Sequence, residues 1–300
     1  MSTGSAGHAA RPAGVPESQA APATRVRTFL RTADGVALDA VYEPGAAVRE
    51  GAHRGAYGGA HEGAYEDSGD PVFVIAHGFT GDLDRPHVRR VARVLAQYGA
   101  VVTFSFRGHG ASGGRSTVGD REVLDLAAAV AWARGFGHAR VVTVGFSMGG
   151  SVVLRHAALH GGPADAERTG ARTDAVVSVS APARWYYRGT APMRRLHWLV
   201  TRPEGRLVSR YGLHTRIHHR DWDPVPLSPV EAVPRIAPTP LLIVHGDRDG
   251  YFPLDHPRTL AAAAGGHGEL WLEPGMGHAE NAAADELLHR IARWTRAQAG

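Results

Sequence analysis

Short apolar runs alternate with longer amphipathic stretches along most of the chain after residue 71. The apolar runs are rich in valine and other β-branched residues, which is typical of buried strands. Regular alternation of such strands with amphipathic helices predicts an α/β fold with a mainly parallel central sheet and helices on both faces. The predicted strands are 72–76, 100–106, 140–146, 175–180, 240–245 and 269–272, and the predicted helices are 85–98, 119–134, 147–160, 254–264 and 282–297.

The part of the chain before this pattern predicts three different segments. Residues 1–24 are rich in Ala, Gly, Pro and Ser and predict a disordered leader. Residues 25–30 and 36–42 predict an opening hairpin around an Ala-Asp-Gly turn. Residues 45–70 are dense in Gly and poor in aliphatic side chains, and they predict a flexible surface loop. His53 and His61 in this loop have no ordered element beneath them, so no metal site is expected there.

The alternation fails between residues 182 and 238. This stretch holds three of the six tryptophans of the chain, Trp185, Trp198 and Trp222, together with many Arg, His and Pro residues. It predicts a small helical or irregular cap inserted into one α/β core made of residues 25–181 and 239–297. A chain of 300 residues with 43% apolar content is large enough for one such domain.

Composition narrows the classes of function. The 33 basic residues are all arginine and are scattered among 29 acidic ones, which gives little reason to expect a nucleic-acid partner. The chain has no cysteine, which excludes disulfides, thiolate metal sites and a cysteine nucleophile. No stretch has the uninterrupted apolar length of a membrane span, and the N-terminal residues do not resemble a signal peptide, so a cytoplasmic protein is expected.

The sequence GFSMGG occupies residues 145–150, between a predicted strand and the helix that follows it. A serine on a sharp strand-to-helix turn has strained backbone angles, and Gly145 and Gly149, two residues to either side, remove side chains that would collide there. Such a turn exposes the hydroxyl group. Ser147 is therefore the candidate nucleophile.

Attack by a serine on a carbonyl group produces an oxyanion that needs hydrogen-bond donors. One donor is expected from the residue after the nucleophile and another from a loop after an earlier strand. His77, Gly78 and Phe79 directly follow the predicted strand 72–76. The backbone N–H groups of Phe79 and Met148 are the candidate donors.

Position along the chain selects the candidate base from 18 histidines. His278 lies in a glycine-rich loop after the last predicted strand, at the carboxyl edge of the sheet where ligands bind. His245 ends a strand and His289 lies within a helix, so both are interpreted as structural. Asp247 and Asp249 follow the preceding strand. Asp249 lies further out on its loop and is the candidate acid that orients His278, while Asp247 is expected to bond its own turn.

The order Ser147, Asp249, His278 matches the α/β-hydrolase arrangement. Together with HGF at 77–79, RGHGAS at 107–112 and HGDRD at 245–249, it makes residues 25–297 resemble the α/β-hydrolase superfamily. The resemblance is to the branch of esterases, lysophospholipases and monoacylglycerol-lipase-like enzymes, which is also grouped with serine aminopeptidases. It implies a serine hydrolase that needs no cofactor or metal and cleaves a small-molecule carboxylic ester with a small or medium acyl group through an acyl-enzyme. It also implies that residues 107–110 shape a loop beside the site.

Several alternatives stay open. A non-catalytic binding protein of the same fold, or an amide hydrolase, thioester hydrolase or perhydrolase using the same three residues, is compatible with the sequence. Residues 108–113 formally fit G-x-G-x-x-G, but no helix opens on the third glycine, so a dinucleotide site is not expected. Trp185, Tyr186 and Trp198 are candidate substrate-binding residues in the cap, although these aromatic side chains could equally pack on one another.

Overall fold

A computed structural model describes residues 24–45, 70–162 and 170–298. Nearly all of the predicted leader and of the predicted loop at 45–70, including His53 and His61, lies outside the described residues. Those two expectations stay predictions.

The centre of the protein is one eight-stranded sheet with the order β1-β2-β4-β3-β5-β6-β7-β8. The strands from β3 to β8 run parallel, whereas β2 pairs antiparallel with both β1 and β4. Every residue of β3 to β7 is buried, because helices cover both faces of the sheet. The strands are β1 Val26–Arg31, β2 Ala37–Glu43, β3 Val72–Ala76, β4 Ala100–Phe104, β5 Val141–Phe146, β6 Ala175–Val179, β7 Leu241–Gly246 and β8 Gly268–Glu273. The predicted hairpin and the mainly parallel sheet are confirmed.

Helices follow most of the parallel strands. They are α1 Pro86–Leu95, α2 Glu122–Gly135, α3 Met148–His160, α4 Ala191–Thr201, α5 Pro203–Gly212, α6 Pro229–Ala232, α7 Asp255–Ala263, α8 Ala279–Ala282 and α9 Asp285–Ala297. Consecutive side chains of β3 point to opposite faces of the sheet, so Val74 belongs to one apolar cluster and Phe73 to the other. Helices α2, α3 and α7 complete the first cluster, and α1, α8 and α9 complete the second.

The predicted helix 282–297 differs from the structure, which has two helices, α8 and α9, with extended backbone at Ala283 between them. The guanidinium of Arg90 on α1 donates to the carbonyl oxygens of Glu280, at 2.9 Å, and Ala283, at 2.6 Å. A side chain distant in sequence thus satisfies carbonyl groups that a continuous helix would use, and no local pattern could predict the break.

The segment between β6 and β7 contains the helical hairpin α4–α5 and the short helix α6. It returns to the core along residues 215–218, where Arg216 N–H donates to the carbonyl oxygen of Gly108 at 2.8 Å and Ser116 N–H donates to that of Arg216 at 2.7 Å. Gly108 has φ +78°, and a Cβ there would overlap the Arg216 carbonyl oxygen. The glycine-rich loop at 108–113 therefore contacts this inserted segment, and the contact requires glycine at position 108.

None of the helices in the described ranges has the length and apolar character needed to cross a bilayer.

Candidate active site

Ser147 joins β5 to α3 in a strained turn, with φ 52° and ψ −112°. A residue other than glycine with such angles costs about 1–3 kcal/mol and persists only where its surroundings hold it. A Cβ at Gly145 would overlap the carbonyl oxygen of Gly149, and a Cβ at Gly149 would overlap that of Ala76. Both glycines are thus required for the turn, for the steric reason expected from the sequence.

His278 lies between Ser147 and Asp249. Its Nε2 is 2.9 Å from the Ser147 Oγ, and its Nδ1 is 2.8 Å from the Asp249 Oδ2. Because a carboxylate only accepts, Nδ1 carries the proton, and the bare Nε2 accepts from the serine hydroxyl. The three residues come from the loops after β5, β7 and β8, at the carboxyl edge of the sheet. In this arrangement His278 can take the hydroxyl proton as Oγ attacks a carbonyl group.

Asp249 is a fully buried carboxylate. Its Oδ1 accepts from the backbone N–H groups of Tyr251 at 2.8 Å and Phe252 at 3.1 Å. Burial raises the pKa of Asp249, but the hydrogen bonds from His278 and from the backbone N–H of Phe252 outweigh it, so the pKa lies below its usual value. Asp249 is therefore ionised at neutral pH and holds the Nδ1–H tautomer of His278.

Asp247 has a different role from the one expected. Its Oδ1 accepts from the backbone N–H of Gly275 at 2.6 Å and so joins the loop after β7 to the loop that carries His278. The carboxylate that bonds its own turn is that of Asp249, through Oδ1. The expectation for Asp247 was wrong because its partner lies on a neighbouring strand exit rather than within its own turn.

Two aromatic rings surround the imidazole of His278. The Tyr251 ring stacks on it with centroids 4.2 Å apart, and the Phe252 ring meets it edge-on at 5.7 Å. Neither residue was predicted from the sequence. Their only sequence signal is their position directly after Asp249 and Gly250. They belong to the turn whose backbone N–H groups donate to the Asp249 carboxylate.

The loop after β3 lies beside the serine, because a Cβ at Gly78 would be 3.5 Å from the Ser147 Cβ. The Gly78 carbonyl oxygen accepts from His77 Nδ1 at 2.7 Å and from the Gly81 N–H at 3.0 Å. In a trans peptide the carbonyl and the following N–H point in opposite directions, so these bonds fix the direction of the Phe79 N–H. Met148 begins α3, and its N–H has no acceptor within the helix. Met148 thus follows Ser147 directly in the chain, and Phe79 belongs to the loop beside the serine; their role as oxyanion donors stays a prediction.

His77 holds this loop as a neutral side chain. Its Nε2 accepts from the Phe106 N–H at 3.0 Å, which leaves the proton on Nδ1. Burial lowers the pKa of His77 to about 3. The loop geometry therefore does not change with the protonation of this ring at neutral pH.

Glu280 is a further residue of the site that was not predicted from the sequence. It follows His278 by two positions, is buried, and its Oε1 accepts from the Gly78 N–H at 3.1 Å. No periodicity marks it, because its partner is 202 residues away in sequence.

Two of the three candidate substrate-binding residues pack against another aromatic side chain of the inserted segment. The Trp185 Nε1 donates to the Pro226 carbonyl oxygen at 2.9 Å, and the rings of Trp185 and Tyr186 pack against Trp222 at 5.1 and 5.6 Å. Trp198, on α4, is 44% exposed. Trp185 and Tyr186 thus take the alternative of aromatic packing, and contact with an acyl group stays a prediction for all three.

The sequence model of the alpha/beta hydrolase family matches residues 72–290. The chain belongs to that family. The match begins at β3 and ends within α9, so it contains Ser147, Asp249 and His278.

Solved structures of hydrolases share the fold of this alpha/beta hydrolase. Esterase Pf2001 of Pyrococcus furiosus is 20% identical, with a TM-score of 0.64 over 92% of this chain and 93% of that one. Est1E of Butyrivibrio proteoclasticus, solved with ferulic acid bound, is 20% identical, with a TM-score of 0.55 over 90% and 98%. XC6422 of Xanthomonas campestris, a serine hydrolase without a lid, is 18% identical, with a TM-score of 0.51 over 93% and 94%. These likenesses confirm the predicted α/β-hydrolase fold.

Proposed function

We propose that this alpha/beta hydrolase cleaves carboxylic esters, with Ser147 as nucleophile, His278 as general base and Asp249 as the acid that orients it. The observation that carries the proposal is the hydrogen-bonded chain from the Ser147 Oγ through His278 to Asp249, on a strained turn at the carboxyl edge of the sheet. A protein that only binds ligands has no need of this chain or of the strain at Ser147.

The proposed reaction has two halves. The Ser147 Oγ forms a bond to the acyl carbon as its proton passes to His278 Nε2, and the N–H groups of Phe79 and Met148 donate to the resulting oxyanion. The ester C–O bond then breaks, and His278 returns the proton to the departing alkoxide. In the second half, water attacks the acyl carbon of the acyl-enzyme and gives one proton to His278. The bond between the acyl carbon and the Ser147 Oγ then breaks, His278 returns the proton to Oγ, and the acid leaves.

The proposed substrate is an ester with a small or medium acyl group. In this proposal, residues 182–238 act as a cap on a core made of residues 25–181 and 239–297, and Trp185, Tyr186 and Trp198 contact the acyl group. Amide hydrolysis, thioester hydrolysis and perhydrolysis would use the same three residues. Activity assays with each class of substrate therefore distinguish these reactions from ester hydrolysis.

Labelling and turnover together test the proposal. A fluorophosphonate should form a covalent adduct on Ser147, located by mass spectrometry, and the chain should hydrolyse p-nitrophenyl acetate. Ser147→Ala should lose the adduct and nearly all turnover, about a million-fold in kcat at the extreme, while its urea unfolding curve changes little. A wild-type chain that forms no adduct and hydrolyses no ester would favour a binding protein. A fully active alanine variant would exclude Ser147 as nucleophile.

A further inference from the structure

Helix α5 presents its large apolar side chains to solvent. Leu207, Val208 and Tyr211 are 57%, 50% and 69% exposed, whereas Gly205 and Ser209 are buried. A surface helix of a globular protein normally has the opposite pattern, with large apolar residues inward. We call the outward surface formed by Leu207, Val208, Arg210 and Tyr211 the α5 face.

Packing against α4 fixes this orientation. A Cβ at Gly205 would overlap the Trp198 carbonyl oxygen and lie 2.7 Å from the Leu199 Cα, so the backbones of the two helices meet there. Turning α5 to bury Leu207 would force a large side chain into that contact. The exposure of the α5 face is therefore built into the hairpin.

The same region carries a concentrated positive charge. Residues 182–220 contain nine arginines and one acidic residue, Glu204, an excess of eight positive charges, while the whole chain has a net charge of +4. The rest of the chain is therefore net negative, at −4. Arg195 on α4, Arg202 in the turn between the two helices and Arg210 on α5 are all exposed.

We propose that the α5 face docks on the surface of an anionic lipid membrane, with Leu207, Val208 and Tyr211 entering the headgroup region and the surrounding arginines contacting acidic headgroups. Exposed apolar side chains interleaved with arginine on one helix are what an interfacial helix requires. A second copy of this chain would bring like charges together, and a nucleic acid would leave the apolar residues without a partner. This docking does not depend on the chemistry proposed for Ser147.

The test uses the full chain carrying Ser147→Ala, so that binding is measured without turnover of lipid. The chain should co-sediment with phosphatidylcholine vesicles containing about 30 mol% phosphatidylglycerol in about 0.1 M NaCl, and far less with phosphatidylcholine alone. Raising NaCl to about 0.5 M should weaken the binding, because the arginine contacts are screened.

Two variants separate the contributions of charge and apolar contact. Arg195→Gln/Arg202→Gln/Arg210→Gln should lower the partition coefficient about a hundredfold, since each basic residue near such a surface contributes about fivefold. Leu207→Gln/Tyr211→Gln should lower it at least about tenfold. The matched controls change exposed positions elsewhere: Arg93→Gln/Arg258→Gln/Arg293→Gln for charge and Phe29→Gln/Leu159→Gln for apolar contact. Both controls should bind as the parent does.

Three results would overturn the proposal. The parent chain could fail to bind the acidic vesicles, or the controls could lose as much binding as the α5 variants. The chain could also bind polyglutamate or a fluorescent DNA duplex more tightly than it binds the vesicles, which would identify an acidic protein or a nucleic acid as the partner. Loss of ester hydrolysis in the parent sequence has no bearing on any of these measurements.

Discussion

The backbone N–H of Gly78 donates to the buried carboxylate of Glu280 across 3.1 Å. This bond joins the loop that carries the Phe79 N–H to the short helix that begins beside His278. Two parts of the site that contribute different groups to the proposed reaction, an oxyanion donor and the base, are thereby held in one fixed relation.

We predict that Glu280→Ala lowers kcat for p-nitrophenyl acetate by about tenfold or more, with a smaller change in KM. An unpaired buried N–H costs about 1–3 kcal/mol, and the loop can relieve this cost by turning the Phe79 N–H away from the oxyanion. Glu280→Gln is the matched control, because its amide oxygen still accepts from Gly78, and it should stay within a few-fold of wild type. Equal losses in both variants would argue that the charge, and not the bond, matters.

We predict that Asp249→Asn lowers kcat about ten-thousand-fold, because the amide favours the wrong tautomer of His278. Asp247→Asn should stay within a few-fold, since the Asn oxygen can still accept from the Gly275 N–H. The measurement is kcat for both variants, with folding checked by urea unfolding. If Asp247→Asn were the more damaged enzyme, the orienting role would pass to Asp247.

Features set by residues close together in the sequence could be predicted from it, whereas contacts between residues distant in sequence could not. The sheet and the Ser147 turn follow from local patterns, namely apolar strands, amphipathic helices and two glycines spaced around a serine. The Asp247–Gly275 and Gly78–Glu280 bonds join residues 28 and 202 positions apart, and they exist only because the strand exits meet at one edge. The same holds for Trp185 and Trp222, whose packing depends on how the inserted segment folds back.

We predict that His109 makes the protein less stable as the pH falls below neutrality. Burial lowers its pKa to about 4, compared with about 6.5 in an unfolded chain. Between these values the unfolded chain binds a proton that the folded chain does not, so the free energy of unfolding falls with pH by at most about 1.4 kcal/mol per pH unit from this residue. Its stabilising contribution is present above about pH 6.5 and is lost as the pH falls towards 4.

Urea unfolding at pH values between neutrality and the folded pKa measures this slope. His109→Asn, whose amide N–H can still donate to the Arg107 carbonyl oxygen, should have a shallower dependence than wild type. His87→Asn changes an exposed histidine on α1 and should leave the slope unchanged. Parallel curves for wild type and His109→Asn would contradict the prediction.

We predict that Trp198 governs specificity for the length of the acyl group. If Trp198 forms a wall of the acyl pocket, kcat/KM for p-nitrophenyl esters should rise by up to about fourfold for each added methylene and then level off when the pocket is full. Trp198→Ala should flatten this rise while leaving acetyl ester turnover nearly unchanged, because an acetyl group is too short to reach the wall. Trp198 is already 44% exposed, so its truncation removes little packing, and a changed profile would report contact with substrate. Tyr211→Ala, an exposed aromatic position on the neighbouring α5, is the control and should keep the wild-type profile. An identical profile in the Trp198 variant, or a strict preference for acetyl in the wild type, would place the acyl pocket elsewhere.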